Sequence, residues 1–373
     1  MQCDYFDAGV CRSCHLLDLS YVDQLARKQA AVAEALAPVA PDVRWEEPVR
    51  SLDAGFRNKA KMVVGGTVAA PTLGILGPSR EGVDLLECGL HSPGLRAALP
   101  VLESFVTEAG LTPYSVPERS GELKHVIATE SPDGELMVRW VLRSREALGR
   151  LRRGLPSLLS RLPIVVASVN LQPEHKAILE GPEEIFLTPG EALTMEVNGV
   201  GLHLRPQSFF QTNTGVAAGL YRHARDLVTV VGPSSVWDLY CGVGGFGLHV
   251  AGPGRHVVGV ESSAQAVASA RLSAADLGLA GTEWVVGDAT AYAVSANAVP
   301  ELVVVNPPRR GIGAQLAGWL ETSGVGHVVY SSCNASSLAR DLAAMPSLRP
   351  TSARLLDMFP HTDHHEVLVL LSR

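Results

Sequence analysis

No run in this chain approaches the ~18 to 20 apolar residues that span a bilayer. Its first residues, Met1-Gln-Cys-Asp-Tyr-Phe-Asp7, carry neither the basic nor the apolar segment of a secretory leader. Both absences point to the cytoplasm and to a protein that meets no membrane. An excess of positive charge is also missing. Against 38 Asp and Glu stand 31 Lys and Arg, a net charge of −7. Neither part of the chain is basic: 21 cations face 26 anions up to residue 207, and 10 face 12 from residue 208 onward. Any nucleic-acid partner must therefore be met by a local patch, since the chain has no global field to attract it. Repeats and low-complexity segments are absent too. Charged residues at 18% beside hydrophobic residues at 46% exclude a disordered chain, and 373 residues suffice for two or three domains with a full core.

Cysteine is scarce, six in all, yet Cys3, Cys11 and Cys14 crowd the start, with a fourth, Cys88, in Leu85-Leu-Glu-Cys-Gly89. In a reducing compartment such a set reads as a metal site before it reads as disulfides. Four thiolates suit tetrahedral zinc or a four-iron cluster. Three close ligands with a remote fourth, in place of two close pairs, lean toward iron–sulfur. The C-x3-C-x2-C spacing of radical enzymes is not there, so radical chemistry is not suggested.

Residues 17–37 carry apolar positions at threes and fours and predict a helix, stopped by Pro38 and Pro41. From Gly55 to about Arg145 the pattern predicts strands and turns, with a hairpin signal, Ser-Pro-Asp-Gly-Glu, between Leu123–Thr129 and Leu136–Arg143. Arg57, Lys59, Lys61, Lys124, Arg139 and Arg143 are candidates for one phosphate-gripping face. A helix is expected over 146–162, then strands at Ile164–Asn170, Ala177–Leu179 and Glu184–Leu187. Gln207, Phe209, Phe210 and Gln211 follow, suited to a flap over a ligand, with Asn213 as the cap of the next helix.

Strand–helix alternation then begins, the pattern of a parallel sheet. The apolar run Ser235–Tyr240 enters Cys241-Gly-Val-Gly-Gly-Phe-Gly247 and opens into a helix. Glycines at such a corner permit a tight turn close to a ligand, and an acid closing the next strand, here Glu261, commonly holds a ribose diol. Asp288 closes a third strand, placed for an adenine amine. Asn306-Pro-Pro-Arg309 follows a fourth strand, Cys333 a fifth, and the segment from Ala353 to Leu371 reads as two strands joined by a polar corner. Asp238, Glu261, Asp288, Asn306, Cys333 and the Phe359–Glu366 turn gather beyond the carboxyl ends of the strands. The layout is that of a class I methyltransferase reading S-adenosylmethionine (SAM).

Cys333 precedes a predicted helix start, where the dipole lowers a thiol's pKa. Carbon 5 of uracil is too weak a nucleophile to take a methyl group directly. A thiolate adding to carbon 6 makes it an enolate carbon, and a base must later remove the carbon 5 proton. One thiol, Cys333, and one carboxylate, Glu366, meet that inventory; a Glu366 paired with Arg309 or a histidine is the structural alternative. Asn306-Pro-Pro also resembles the motif of adenine amino-methyltransferases, but Arg309 stands where those enzymes need a stacking aromatic. His361, His364 and His365 are too nearly adjacent for a metal site and suit hydrogen bonding.

These motifs, in order, resemble the SAM-dependent RNA uracil-5 methyltransferases over essentially the whole chain. The resemblance is carried by the cysteine-rich start, Gly55-Phe-Arg-Asn-Lys-Ala-Lys-Met62, Arg205-Pro-Gln-Ser-Phe-Phe-Gln-Thr-Asn213, Asp238-Leu-Tyr-Cys-Gly242, Asn306-Pro-Pro-Arg-Arg-Gly311, Ser331-Ser-Cys-Asn334 and Asp357-Met-Phe-Pro-His-Thr362. Asn306 stands where many relatives have Asp and Ala335 where many have Pro, and both departures resemble the branch acting on bacterial large-subunit ribosomal RNA. The resemblance implies an α/β fold with three parts. Residues 1–50 would form an iron–sulfur segment and helix, 51–206 a β-rich RNA-binding domain, and 207–373 a Rossmann-like SAM methyltransferase domain. It implies a 4Fe–4S cluster on Cys3, Cys11, Cys14 and Cys88. SAM contacts would come from Gln211, Tyr240, Glu261 and Asn306, with Asp288 nearby; Cys333 is the nucleophile and Glu366 the proton acceptor. The implied substrate is a specific uridine of 23S rRNA in a stem-loop, taken by a monomer. Another rRNA uridine, or the T-loop uridine of tRNA, is the alternative.

Overall fold

The computed structural model describes residues 1–78 and 80–373. It divides into two compact units, each discontinuous in sequence.

The first unit comprises Met1–Cys14 and Asp53–Thr194. Its sheet has seven strands in the order Gly82–Asp84, Pro71–Leu76, Lys59–Gly66, Leu123–Glu130, Leu136–Leu142, Ile164–Leu171 and Glu183–Phe186. Neighbours run antiparallel except Leu136–Leu142 and Ile164–Leu171, which are parallel and joined across the helix Leu148–Leu159. A second helix, Pro93–Glu108, lies where the sequence predicts only strands and turns. Pro93 and Pro100 mask it, but Pro93 sits at the helix start, where its missing N–H costs nothing. Leu95, Ala98, Leu99, Leu102, Phe105 and Val106 supply its buried stripe. Phe105 meets Trp140 of the sheet with ring centroids 5.9 Å apart. Conversely Ala177–Leu179 is no strand: it runs through bends, with Ala177 and Ile178 exposed, and finds no sheet partner among the described residues.

The second unit comprises His15–Leu52 and Met195–Arg373. The segment read from sequence as 1–50 is thus shared: its cysteines belong to the first unit, its helix to the second. That helix, Tyr21–Leu36, buries Val32 and Leu36 in the same core as Trp237, Tyr330 and Leu355. The sheet has eight strands. Their order is Arg44–Val49, Arg349–Leu356, Glu366–Ser372, His327–Ser332, Leu302–Val305, Ser235–Leu239, His256–Glu261 and Thr282–Val286. All pairs are parallel except those of Glu366–Ser372, which runs antiparallel to both of its neighbours. The central strands are buried, as apolar runs such as Leu302-Val-Val-Val305 require. Among the described residues no helix is long and apolar enough to cross a membrane.

Candidate active site and cysteine cavity

Every parallel strand at the centre of the second unit ends on the same side, and the loops there enclose a cavity of about 640 Å³. Gln211, Tyr240, Glu261, Asp288, Asn306, Cys333 and Glu366 all line it. The glycine corner makes room. Gly242 and Gly244 have φ of 54° and 87°, and Tyr240 itself is left-handed at 65°. A Cβ on Gly247 would stand 2.9 Å from the Trp284 ring and 3.0 Å from Asp238 Oδ2. The close approach lets Gly247 N–H donate to Asp238 Oδ2 at 2.7 Å. Asp238 is fully buried, its Oδ1 has no partner among the described residues, and burial pushes its pKa up to about 7.

Glu261, at the end of its strand, accepts from Gly242 N–H at 3.3 Å and from Ser262 Oγ–H and Ser263 N–H, each at 2.9 Å. Its carboxylate is therefore held by the protein's own donors. Asp288 caps the helix Ala289–Ser295, accepting Ala291 N–H at 2.8 Å through Oδ1. Asn213 caps Thr214–Val231 as its spacing predicts, accepting Val216 N–H at 3.2 Å. Phe209, at the cavity, is 73% exposed.

Cys333 lies between the strand His327–Ser332 and the helix Ala335–Ala343. The expectation that the helix terminus lowers its pKa is overturned. Burial and the charge of Glu366 raise it above the ordinary 9.0, and Arg309 offsets this only in part. Glu366 opens the antiparallel strand, fully buried, its pKa pushed up to about 7 by burial. It pairs with neither Arg309 nor a histidine; Ser331 Oγ–H donates to its Oε1 at 2.5 Å. Sequence reading missed Ser331 and Asn334. The Asn334 side chain caps the helix through Ser336 N–H at 3.0 Å and donates to the Arg309 carbonyl at 3.1 Å, tying the Cys333 corner to the Asn-Pro-Pro-Arg loop. An Asn directly before a helix was the signal that could have found it. Cys241 also lines the cavity, but burial lifts its thiol far above the usual range.

In the first unit Cys3, Cys11, Cys14 and Cys88, all free thiols, line a separate cavity of about 210 Å³ with Arg57 and His91. Burial, reinforced by the other three sulfurs, pushes Cys14 up to about 12. Among the described residues no group of three or more His, Cys, Asp or Glu closes on a single ion. Four sulfurs thus share the lining of one cavity.

The phosphate-gripping face is a correction. Arg139 is buried between Glu180, at 2.8 Å, and Glu184, at 2.9 Å. Lys124 donates to Gln172 and, at 2.7 Å, to the Glu174 carbonyl. Arg143 pairs with Glu122 at 3.0 Å, Arg57 donates to the Lys59 carbonyl at 3.0 Å, and Lys59 is buried. Lys61 is exposed, and Arg57 and Arg143 are half-buried. Spacing along strands shows that cations cluster, but not that acids on the next strands meet them.

Known proteins resemble this chain over its whole length. Residues 294–373 match the family model described as tRNA (Uracil-5-)-methyltransferase, and residues 225–317 match the Methyltransferase small domain. A curated relative from Edwardsiella ictaluri, 23S rRNA (uracil(747)-C(5))-methyltransferase RlmC, is 48% identical over all of this chain and 99% of its own. The protein of the same name from Escherichia coli O139:H28 is 47% identical over the same shares. Among solved structures, Pyrococcus abyssi tRNA (uracil-54, C5)-methyltransferase in complex with S-adenosyl-L-homocysteine (SAH) superposes with a TM-score of 0.81. It is 26% identical and covers 97% of this chain and 86% of its own.

Proposed function

The chain belongs to the 23S rRNA uracil-C5 methyltransferases of its full-length relatives, and from that premise we propose how its residues divide the reaction. The enzyme transfers a methyl group from SAM to carbon 5 of a uridine in 23S rRNA, at position 747 in the relatives' names. SAM supplies an electrophilic methyl on its sulfonium. Glu261, Asp288, Tyr240, Gln211 and Asn306 hold it, Glu261 through the ribose. A target base flipped from its stem-loop enters the same cavity. Cys333, once deprotonated, adds its sulfur to carbon 6, and the displaced electron pair makes carbon 5 the nucleophile that takes the methyl. Glu366 removes the carbon 5 proton; the pair reforms the 5,6 double bond and the sulfur leaves as thiolate. One chain carries every group required, so a monomer suffices.

The observation that carries this reading is that Cys333 and Glu366 open into one cavity with all five donor-holding residues. Cys333→Ala should bind SAH as the parent does and transfer no methyl; transfer by that variant would end the covalent mechanism. Mapping methylated uridines in RNA from a deletion strain names the target. Loss at a tRNA T-loop or a different rRNA uridine would replace the site assignment while leaving the chemistry in place.

The four-cysteine cavity fits a 4Fe–4S cluster held by Cys3, Cys11, Cys14 and Cys88, and we assign the cluster a structural role. Bound there, it would tie Met1–Cys14 to the turn after the strand Gly82–Asp84 that carries Cys88.

A further inference from the structure

The segment from Asp357 to His365 brings Phe359, His364 and His365 to the cavity and delivers Glu366 at its end. Its other side rests on the helix Tyr21–Leu36. Gln24 and Lys28 stand one turn apart on the face that this helix buries, 1% and 2% exposed. Lys28 Nζ donates to Asp357 Oδ1 at 2.5 Å and to the Phe359 carbonyl at 2.9 Å. Gln24 Oε1 accepts the His361 N–H at 2.8 Å, and its amide donates to His361 Nδ1 at 3.2 Å. His361 has φ of 65°, a conformation a non-glycine residue keeps only where its surroundings impose it. From a second helix, Asn213 Nδ2 donates to the Met358 carbonyl at 3.3 Å.

A lysine and an aspartate with both side chains fully buried are a poor device for stability. Dehydrating two charges offsets most of their attraction, and apolar residues of like size do as well. What the pair does supply is one fixed course for the loop. The outer ties of the same loop, from His15 and Arg27 to Asp363, are exposed and contribute little.

We propose that Gln24 and Lys28 are positioning residues for the reaction. Acting through Asp357, Phe359 and His361, they set the loop so that Glu366 meets the proton on carbon 5. This deepens the reading of Glu366 as the base and rests on it. Two variants of the full chain test it, Gln24→Leu and the apolar replacement Lys28→Met with Asp357→Leu. Each is given a 23S rRNA fragment carrying the target uridine and followed by SAH titration, thermal unfolding, turnover and denaturing gels. Both should fold and bind SAH as the parent does, release product about 10- to 100-fold more slowly, and accumulate an RNA–protein adduct. A purely structural role would lower turnover and SAH affinity together without adduct, and that result, or turnover at the parent rate, overturns the proposal. Glu366→Gln runs alongside. If that variant leaves no adduct, the base assignment itself fails, an outcome distinct from adduct in Glu366→Gln with none in the two loop variants.

Discussion

Glu366, the base proposed above, is buried, and that burial burdens the fold. Its pKa stands near 7, above the ordinary 4.5. The raised value means that stability is fullest below about pH 4.5 and is lost as pH rises through 7. The loss is on the order of 3 kcal/mol once the carboxylate is ionised. Glu366→Gln should therefore be more stable than the parent at pH 8 and indistinguishable at pH 4, as read from denaturant midpoints, while it stalls as the adduct. The rate carries the opposite sign. The parent's kcat should climb as pH rises through about 7, because only the carboxylate accepts the proton, and climb further as the Cys333 thiol, also raised, gives up its own proton. A kcat flat from pH 6 to 8 would show that proton removal does not limit turnover. Cys333 and Glu366 were legible in the sequence because each closes or opens an apolar strand beside a polar corner. Their proton affinities were not: burial is a property of the packed structure, and it reversed the helix-terminus expectation for Cys333. Arg139 teaches the same lesson. Read as a phosphate contact, it is held by two glutamates from outside its own strand, and Arg139→Ala should cost about 3 to 5 kcal/mol of stability by leaving the buried Glu184 carboxylate without its counter-ion. The check is unfolding by urea.

At the scale of elements, the glycine corner shows how little space separates the strand ends from the ligand side. Gly247→Ala sets a methyl against Trp284 and Asp238. It should cost about 1 to 3 kcal/mol and weaken SAH binding, measured by thermal unfolding and titration. A variant with parent-like values in both would show that the corner yields. The parallel strands were readable because their apolar runs are bounded by turn residues and separated by helix-length intervals. The helix Pro93–Glu108 was not readable, since its two prolines argue against a helix until one is seen to occupy the start. Ala177–Leu179 failed the other way: three apolar residues in a row say nothing about whether a partner strand is within reach.

For the whole molecule, the grouping of residues into units was the least visible feature. Local pattern predicts that 17–37 is helical but not which sheet it packs against. The cysteine cavity belongs to the unit of Asp53–Thr194, so replacing Cys14 by Ser should destabilise that unit first. Hydrogen exchange should rise in Lys59–Gly66 and Leu123–Glu130 while His327–Ser332 keeps its protection. Uniform exchange across both sheets would remove the structural role from the proposed cluster.

The strand Arg44–Val49 lies parallel to Arg349–Leu356, a partner that leaves the ribosome about 300 residues later. The first sheet can close while synthesis continues, whereas the sheet of the second unit gains that edge only once Arg349–Leu356 has been made. A nascent chain arrested before Glu366 would then carry a finished first unit and no competent methyl-transfer site. On the role proposed for Glu366, such a half-made chain has no base with which to complete the methylation.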